Sequence, residues 1–452
     1  FVIKLRKGVK WSDGEPFTAD DVVFTYENYI LNNNIPSWVT ASAWTYNGKV
    51  TELEKVDDNT IKWHFGTAFP VHSFQRMDYL DFSVVPKHVY KHFHPEFNEN
   101  ATYDDLLNAT PPEDLPAVVM GPWVPVKYQP GKQLVMQRNP YYWQVDENGN
   151  QLPYLNEVWF NEAESGKART MNVIAGQGDR TNLENPQTFS LIKQASQKKD
   201  AHFNIRFGPF AIGYQLEMNL SKHLGNDTDR DAAMRNLFRN LKFRKAISHV
   251  IDRSGVAEAA FPGPLTQAWY GGYPSGSIYY KDEMTTKYKY DPAKAKELLS
   301  ELGFEDTDGN GILNWPEDTE LAGKNFNIEL IVNQDQAAGV DAAEAMVPLF
   351  RQAGIDLKVK ILKATISTNR IDGGNFEMTI TRQDSVTPFV HMENFGPIND
   401  SSPGWHQSAS EGKRDLLPFE EEIKGLMENA KTIKSTDLRL DIFTKIQKLF
   451  TE

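Results

Sequence analysis

Helical and strand patterns alternate along the C-terminal half of this sequence, and this alternation restricts the possible folds more than any other feature. Apolar residues at helical spacing predict helices over residues 291–302 and 341–353. Each helix is followed by an apolar strand pattern, at 327–333 and at 355–361. Since segments that alternate in this way pack as helices against a sheet, the sequence predicts an α/β fold.

The N-terminal part has strand and helix signals of its own. Thr18 stands before an apolar helical pattern with Asp21 three residues later, which predicts an N-cap close to a capping box. Residues 50–65 predict two strands around a turn at Asp57, Asp58 and Asn59. The run from Asp146 to Asn150 contains the Asn-Gly pair that is typical of a tight hairpin turn.

Charge and residue usage exclude several classes of protein. The chain carries 48 Lys and Arg against 61 Asp and Glu, a net charge of −13, which argues against binding to nucleic acid or to an anionic membrane surface. No apolar run approaches the roughly 18 residues that a membrane-spanning helix needs. Cysteine is absent, which excludes disulfide frameworks, thiolate zinc sites and cysteine nucleophiles.

The motifs of several enzyme classes are missing from the sequence. It contains no HExxH zinc motif, no G-x-S-x-G elbow, no phosphate-binding P-loop and no G-x-G-x-x-G turn. We therefore predict a protein that is not an enzyme and needs no cofactor for chemistry. A hydrolase of peptides or glycans is the less favoured alternative, because it would need a reactive carboxylate pair or an activated nucleophile and the sequence identifies neither.

One segment fits the twelve-residue calcium loop. Calcium prefers six to eight oxygen ligands, and the loop supplies them from alternating positions, with a glycine at the sixth position, here Gly311. The predicted ligands are Asp306, Asp308, Asn310, the carbonyl of Ile312, Asn314 and Glu317. The segment predicts a structural calcium site, and the alternative is a polar turn between two elements.

Three groups of motifs occur in order along the chain. The first is the run from Phe1 to Gly14 with Pro16 to Val22. The second is Gly121-Pro-Trp with Arg138 to Trp143 and Leu152 to Leu155. The third is Phe243 to Ser248 with Ile251-Asp-Arg253. Together they resemble the family 5 extracellular solute-binding proteins of ABC importers, which include the oligopeptide- and dipeptide-binding proteins.

The resemblance implies a two-lobed periplasmic-binding-protein fold of type II with an extra domain. The extra domain is expected at residues 1–119, part of the first α/β lobe at 120–233, and the second α/β lobe at 234–452. In relatives the chain termini complete the first lobe, so we expect this sequence to be a fragment that lacks both. The missing segments would include any signal segment.

The resemblance also suggests where ligand binds. In peptide-binding relatives an Asp four residues before a Pro pairs with the α-amino group of the ligand, and Asp384 matches that position ahead of Pro388. The aromatic that often precedes this Asp by three residues is replaced here by Thr381, with Arg382 next. Further candidate ligand-binding residues are Trp38, Trp44, Trp405 and Arg382; for Trp38 and Trp44 the alternative is packing in the core.

These features predict the substrate-binding component of an ABC importer, which captures a peptide between two closing lobes. We expect a monomer outside the cytoplasmic membrane that delivers its solute to a membrane permease. An oligosaccharide is the alternative ligand, because Thr381 departs from the peptide-binding pattern and aromatic residues make up 12% of the chain. Flat aromatic rings and a few polar groups suit sugar recognition.

Overall fold

The computed structural model describes most of the chain, and its contacts divide it into two compact units. The described residues are 1–35, 41–77, 82–111, 114–183, 188–208, 211–260, 266–383, 387–409 and 412–452. Unit 1 comprises residues 1–169, and unit 2 comprises residues 170–452. Both combine helices with sheets, as expected for an α/β protein.

The described residues of unit 1 form three small antiparallel sheets with strand orders β1-β5-β4, β2-β3 and β6-β7-β8. Its strands are β1 Val2–Lys4, β2 Thr45–Tyr46, β3 Lys49–Val50, β4 Glu52–Asp57, β5 Thr60–His64, β6 Trp123–Gln129, β7 Gln133–Arg138 and β8 Glu157–Asn161. Its helices are α1 Ala19–Thr25, α2 Val71–Met77, α3 Lys87–Tyr90 and α4 Tyr103–Leu107, and α5 Gly166–Ile174 continues into unit 2.

The first helix begins where the sequence predicts. The side chain of Thr18 accepts a hydrogen bond from the Asp20 amide, and the Asp21 carboxylate accepts one from the Thr18 amide at 2.9 Å. A π-helical turn, Tyr26–Ile30, extends the helix. Val22 and Tyr26 on its apolar face are buried in the core of unit 1, which confirms the predicted cap and apolar face.

Unit 2 is built around a four-stranded sheet in the order β11-β10-β12-β9. Its strands are β9 Gly213–Met218, β10 Asn327–Asn333, β11 Asp356–Leu362 and β12 Met378–Gln383. Its further helices are α6 Phe189–Ser196, α7 Asp229–Arg239, α8 Leu241–Val250, α9 Arg253–Ala260, α10 Pro292–Ser300, α11 Ala337–Gln352, α12 Ala364–Asp372, α13 Pro418–Ala430 and α14 Thr436–Thr451. None of the helices in the described ranges is long and apolar enough to cross a bilayer.

One large hydrophobic cluster of unit 2 lies on one side of this sheet. Strand β10 runs parallel to β11 and β12, and its residues Ile328, Leu330 and Val332 are fully buried there. Phe243 of α8 and Phe350 of α11 belong to the same cluster. Alternate residues of a strand point to opposite sides, so the other side of the sheet carries a different set of side chains.

The predicted boundary between residues 233 and 234 does not match the units. Residue 234 lies inside α7, and β9, which precedes that helix, pairs with β12 far along the chain. The predicted boundary between residues 119 and 120 also falls within a unit, since unit 1 continues to residue 169. Just before this boundary, Nε of Arg230 lies 2.7 Å from Oε1 of Glu377, next to β12, which fixes the start of α7 to the sheet.

Candidate functional site

The pairing of β9 with β12 creates a polar surface on the sheet of unit 2. In the antiparallel register Gln215 lies opposite Thr381, and Glu217 lies opposite Thr379. Cross-strand partners point to the same side of a sheet. The alternate residues of β9, such as Leu216, pack against the core on the other side. We call the side that carries Gln215, Glu217 and Thr381 the β9–β12 polar face.

The Glu217 carboxylate is at the centre of this face. Its Oε1 atom accepts a hydrogen bond from Gln215 Nε2 at 2.6 Å and another from Thr381 Oγ1 at 2.6 Å. All three side chains are half-buried. Within the described part of the chain, neither the Oε2 atom of Glu217 nor the Oε1 atom of Gln215 has a hydrogen-bond partner.

The surroundings of Glu217 disfavour its charged form. Desolvation raises the pKa of the Glu217 carboxyl, and the hydrogen bonds from Thr381 and Gln215 offset that increase in part. Among the described residues no ion pair involves Glu217. A carboxylate that is partly removed from water without a cation nearby is costly for stability, and such groups are found at binding sites more often than elsewhere.

An aromatic ring lies on the same face, next to the polar groups. A Cβ atom at Gly213 would lie 2.4 Å from Cε3 of Trp269, so the close approach of this ring requires glycine. Gly213 precedes Gln215 by two positions on β9, which places both on one side of the sheet, about 6.6 Å apart along the strand. Trp269 is half-buried, and its Nε1 donates to the carbonyl of Tyr273 at 3.3 Å.

Trp44, a predicted ligand-binding residue, lies inside the core of unit 1. Its side chain has no exposed surface. It stacks on Trp63 at 5.3 Å between ring centroids and meets Tyr26 and Phe82 edge-on. A ring enclosed in this way has no face for a ligand, so the structure favours the core alternative.

Trp405, also predicted to bind ligand, belongs to the core of unit 2. It is 7% exposed and lies parallel to the ring of Phe419 at 6.5 Å. Its carbonyl accepts a hydrogen bond from the amide of Leu220 at 2.8 Å. Its ring also contacts Phe450 of α14 edge-on at 6.3 Å, so the side chain packs against two helices and not in an open loop.

The remaining predicted ligand-binding residues are Arg382, Asp384 and Trp38. Arg382 is exposed on β12, opposite Tyr214 and on the other side of the strand from Thr381. Asp384 and Trp38 lie outside the described residues, and their roles remain predictions.

The predicted calcium loop forms a compact turn. Asp306 accepts hydrogen bonds from the amides of Gly309 at 2.8 Å and Gly311 at 2.9 Å, and Asp308 accepts one from the side chain of Asn310. The side-chain oxygen of Asn314 accepts hydrogen bonds from Thr307. In the described ranges no group of three His, Asp or Glu side chains is arranged to hold a metal ion. Ile312 is buried and Glu317 is exposed, so a calcium site here remains a prediction.

Comparison with known proteins assigns the family. Residues 1–403 match the family described as bacterial extracellular solute-binding proteins, family 5 Middle. The chain belongs to this family. The family membership that the three motif groups predicted is thereby confirmed. The predicted α/β periplasmic-binding-protein fold is also confirmed, because similar solved structures are periplasmic binding proteins.

One similar protein is named for binding α-galactosides, and another was solved in complex with a sugar. The periplasmic alpha-galactoside-binding protein of Rhizobium meliloti is 37% identical over 99% of this chain, which spans 64% of that relative. The periplasmic binding protein MelB of Agrobacterium fabrum C58, solved in complex with stachyose, is 36% identical with a TM-score of 0.88 and is covered to 67%. The oligopeptide-binding protein AppA of Bacillus subtilis is 24% identical over 83% of this chain and is covered to 60%. The chain therefore spans less than two thirds of the length of the Rhizobium meliloti and Bacillus subtilis relatives.

The residues of the β9–β12 polar face were not predicted from the sequence, although one signal was present. Along β9 the apolar residues Tyr214, Leu216 and Met218 alternate with Gln215 and Glu217, the period-two pattern of a strand with one polar side. No comparable signal connects Thr381 or Trp269 to β9, because both are distant in sequence. In this family 5 chain, tertiary pairing alone brings them together.

Proposed function

We propose that this protein is the substrate-binding component of an ABC importer and that its solute is an α-galactoside. One observation carries the proposal, namely the 37% identity over 99% of the chain to a periplasmic alpha-galactoside-binding protein. The stachyose complex of a protein with similar sequence and fold points to the same class of ligand. The oligosaccharide alternative is therefore better supported than the peptide ligand that the motifs first suggested.

The chemistry of the β9–β12 polar face supports a sugar ligand. A carboxylate, an amide and a hydroxyl are the groups that exchange hydrogen bonds with sugar hydroxyls, and Trp269 adds a flat apolar ring beside them. The peptide-binding relative AppA is much less similar, at 24% identity. Thr381 also replaces the aromatic that is expected near the peptide-binding Asp.

The remaining parts of the proposal follow from family membership. Solute-binding proteins of this family work with ABC permeases, so we infer that this protein transfers its solute to a membrane permease and acts on the periplasmic or extracellular side. It performs no catalysis in this role and acts as a monomer. A hydrolase on the same fold would convert the sugars that it binds, and this difference separates the two functions.

A binding screen of the full-length polypeptide tests the solute class. The thermal unfolding midpoint is measured with stachyose, raffinose and melibiose, with manno- and gluco-oligosaccharides, and with di- to pentapeptides. We expect the α-galactosides to raise the midpoint, because a ligand that binds the folded state stabilises it by about 2.7 kcal/mol at a hundredfold excess over its Kd. Stabilisation by peptides alone would refute the proposal, and chromatography of the incubated sugars would reveal any hydrolysis.

A further inference from the structure

Among the described residues, the carboxylate of Glu217 accepts hydrogen bonds through only one of its two oxygens. Oε1 accepts two hydrogen bonds at 2.6 Å, from Gln215 and Thr381, and both donors come from the strand pair itself. Oε2 accepts none from the described residues. Two hydrogen bonds to Oε1 hold the carboxylate in a fixed orientation, so the direction of Oε2 is set before a ligand binds.

The polar atoms beside Oε2 that remain available to a ligand are all hydrogen-bond acceptors. Gln215 donates through its Nε2 and keeps its Oε1 oxygen open, and Thr381 donates its hydroxyl proton and keeps its oxygen lone pairs. A partner must therefore offer several donors close together. Adjacent hydroxyl groups on a sugar ring provide this arrangement.

We infer that Glu217 accepts a hydrogen bond from a sugar hydroxyl through Oε2, and that Gln215 and Thr381 orient the carboxylate for this contact. The inference rests on the proposed function and names a residue that determines affinity for the sugar. A hydroxyl bound to a carboxylate forms a charge-assisted hydrogen bond, which is roughly twice as strong as a neutral one. Partial burial strengthens it further, because less water competes for the oxygen.

A neutral sugar suits this position better than a cationic amino group. An ammonium group bound at the polar face would use the charge of Glu217 but would leave the ring of Trp269 without an apolar partner. A pyranose presents both hydroxyl donors and an apolar ring face, which is the combination that Glu217 and Trp269 require. The ring and the polar groups project from the same side of β9, as their alternation along the strand dictates.

The Glu217→Gln substitution isolates the open oxygen. A glutamine can keep its carbonyl oxygen in the place of Oε1 and continue to accept from Gln215 and Thr381, while its amide replaces the free acceptor with a donor. We expect the affinity of the full-length polypeptide for stachyose, measured by calorimetry, to fall by about 10- to 100-fold. We expect the unfolding midpoint without ligand at neutral pH to stay the same or rise, because a desolvated charge is removed.

Glu258→Gln is the matched control, because Glu258 is exposed on α9 and the change alters net charge equally. It should leave stachyose affinity unchanged. If Glu217→Gln binds stachyose as tightly as the parent, or lowers the midpoint without changing affinity, the inference is wrong while the proposed function stands. If the parent binds peptides and no sugar, the proposed function fails, and loss of that peptide binding in Glu217→Gln would identify Glu217 as a partner of an amino group instead.

Discussion

Nδ1 of His406 lies 2.7 Å from Oε1 of Glu420, and both side chains are almost completely buried. The second oxygen of Glu420 accepts a hydrogen bond from the amide of Leu417 at 2.7 Å, at the start of α13. One carboxylate therefore joins the loop that carries Trp405 to the first turn of a helix. One oxygen accepts from the buried His406 ring, and the other accepts from the partly buried amide that begins α13.

Glu420→Ala should strongly destabilise unit 2. The change leaves the His406 ring and the Leu417 amide without their acceptor, and breaking a buried pair of this kind costs about 3–5 kcal/mol. The free energy of unfolding is measured by urea denaturation. Glu422→Ala is the control, because Glu422 is exposed on the same helix, and it should change stability by no more than about 0.5 kcal/mol. Equal effects of the two variants would contradict a structural role for the pair.

Trp44→Ala should act through stability and not through ligand contact. The ring is fully enclosed against Trp63, Tyr26 and Phe82, and its removal should lower the free energy of unfolding by about 3–5 kcal/mol. Trp159→Ala is the comparison, because Trp159 is 55% exposed on β8 and should cost far less. Stachyose affinity of the folded Trp44→Ala protein should stay within about twofold of the parent. A large loss of affinity with little loss of stability would support the original prediction that Trp44 binds ligand.

The Asp146 carboxyl should titrate at unusually low pH. Hydrogen bonds from the side chains of Asn150 and Tyr154 and from the Asn150 and Asn148 amides lower its pKa to about 2, from an ordinary value of 3.8. Because the pKa is lower in the folded than in the unfolded state, the stabilising contribution is complete above about pH 4 and is lost as pH falls towards 2. An NMR titration of the side-chain carboxyl checks the value.

Asn150→Ala is the variant that tests the cause of this shift. It removes the side-chain hydrogen bond of 2.9 Å that contributes most to the low pKa. The pKa of Asp146 should therefore move upwards, towards 3.8. A pKa that does not change in the variant would show that the side chain of Asn150 does not hold this carboxylate in solution.

Calcium should stabilise the loop from Asp306 to Glu317. Two hydrogen bonds from Gly309 and Gly311 already hold the first carboxylate in a tight turn, and this leaves oxygen lone pairs for a metal ion. We expect added calcium to raise the unfolding midpoint and a chelator to lower it, by an amount that grows with calcium concentration. Asp308→Ala should abolish the calcium response, whereas Asp318→Ala, which changes an exposed acid just outside the loop, should retain it. If neither calcium nor chelator changes the thermal unfolding midpoint, the loop is a polar turn and not a calcium site.

Local patterns in the sequence were sufficient for much of the fold. The strand predicted at 327–333 has the bounds observed for β10, and the cap at Thr18 forms as its spacing with Asp21 predicts. The helix predicted from residue 341 starts earlier, at Ala337. The prediction missed this start because Gln336, the residue before the helix, makes no capping hydrogen bond through its side chain. These features depend on residues within a few positions of one another, so composition and periodicity report them directly.

The candidate site, in contrast, depends on tertiary structure. Glu217 and Thr381 are 164 positions apart, and Gly213 makes room for a tryptophan more than fifty residues away in the sequence. Strand pairing determines which of these residues become neighbours, and the residue pattern of one strand does not predict which strand it pairs with. Burial also depended on tertiary structure, since the sequence left the core and the ligand site open for Trp44 and placed Trp405 in a polar segment, and both rings are enclosed by residues distant in the chain. The sequence by itself determined the family, the α/β class and the ends of several elements, because these follow from local spacing and ordered motifs. The tertiary structure decided which polar groups meet on the sheet, because desolvation and hydrogen bonding there depend on atoms that only folding brings together.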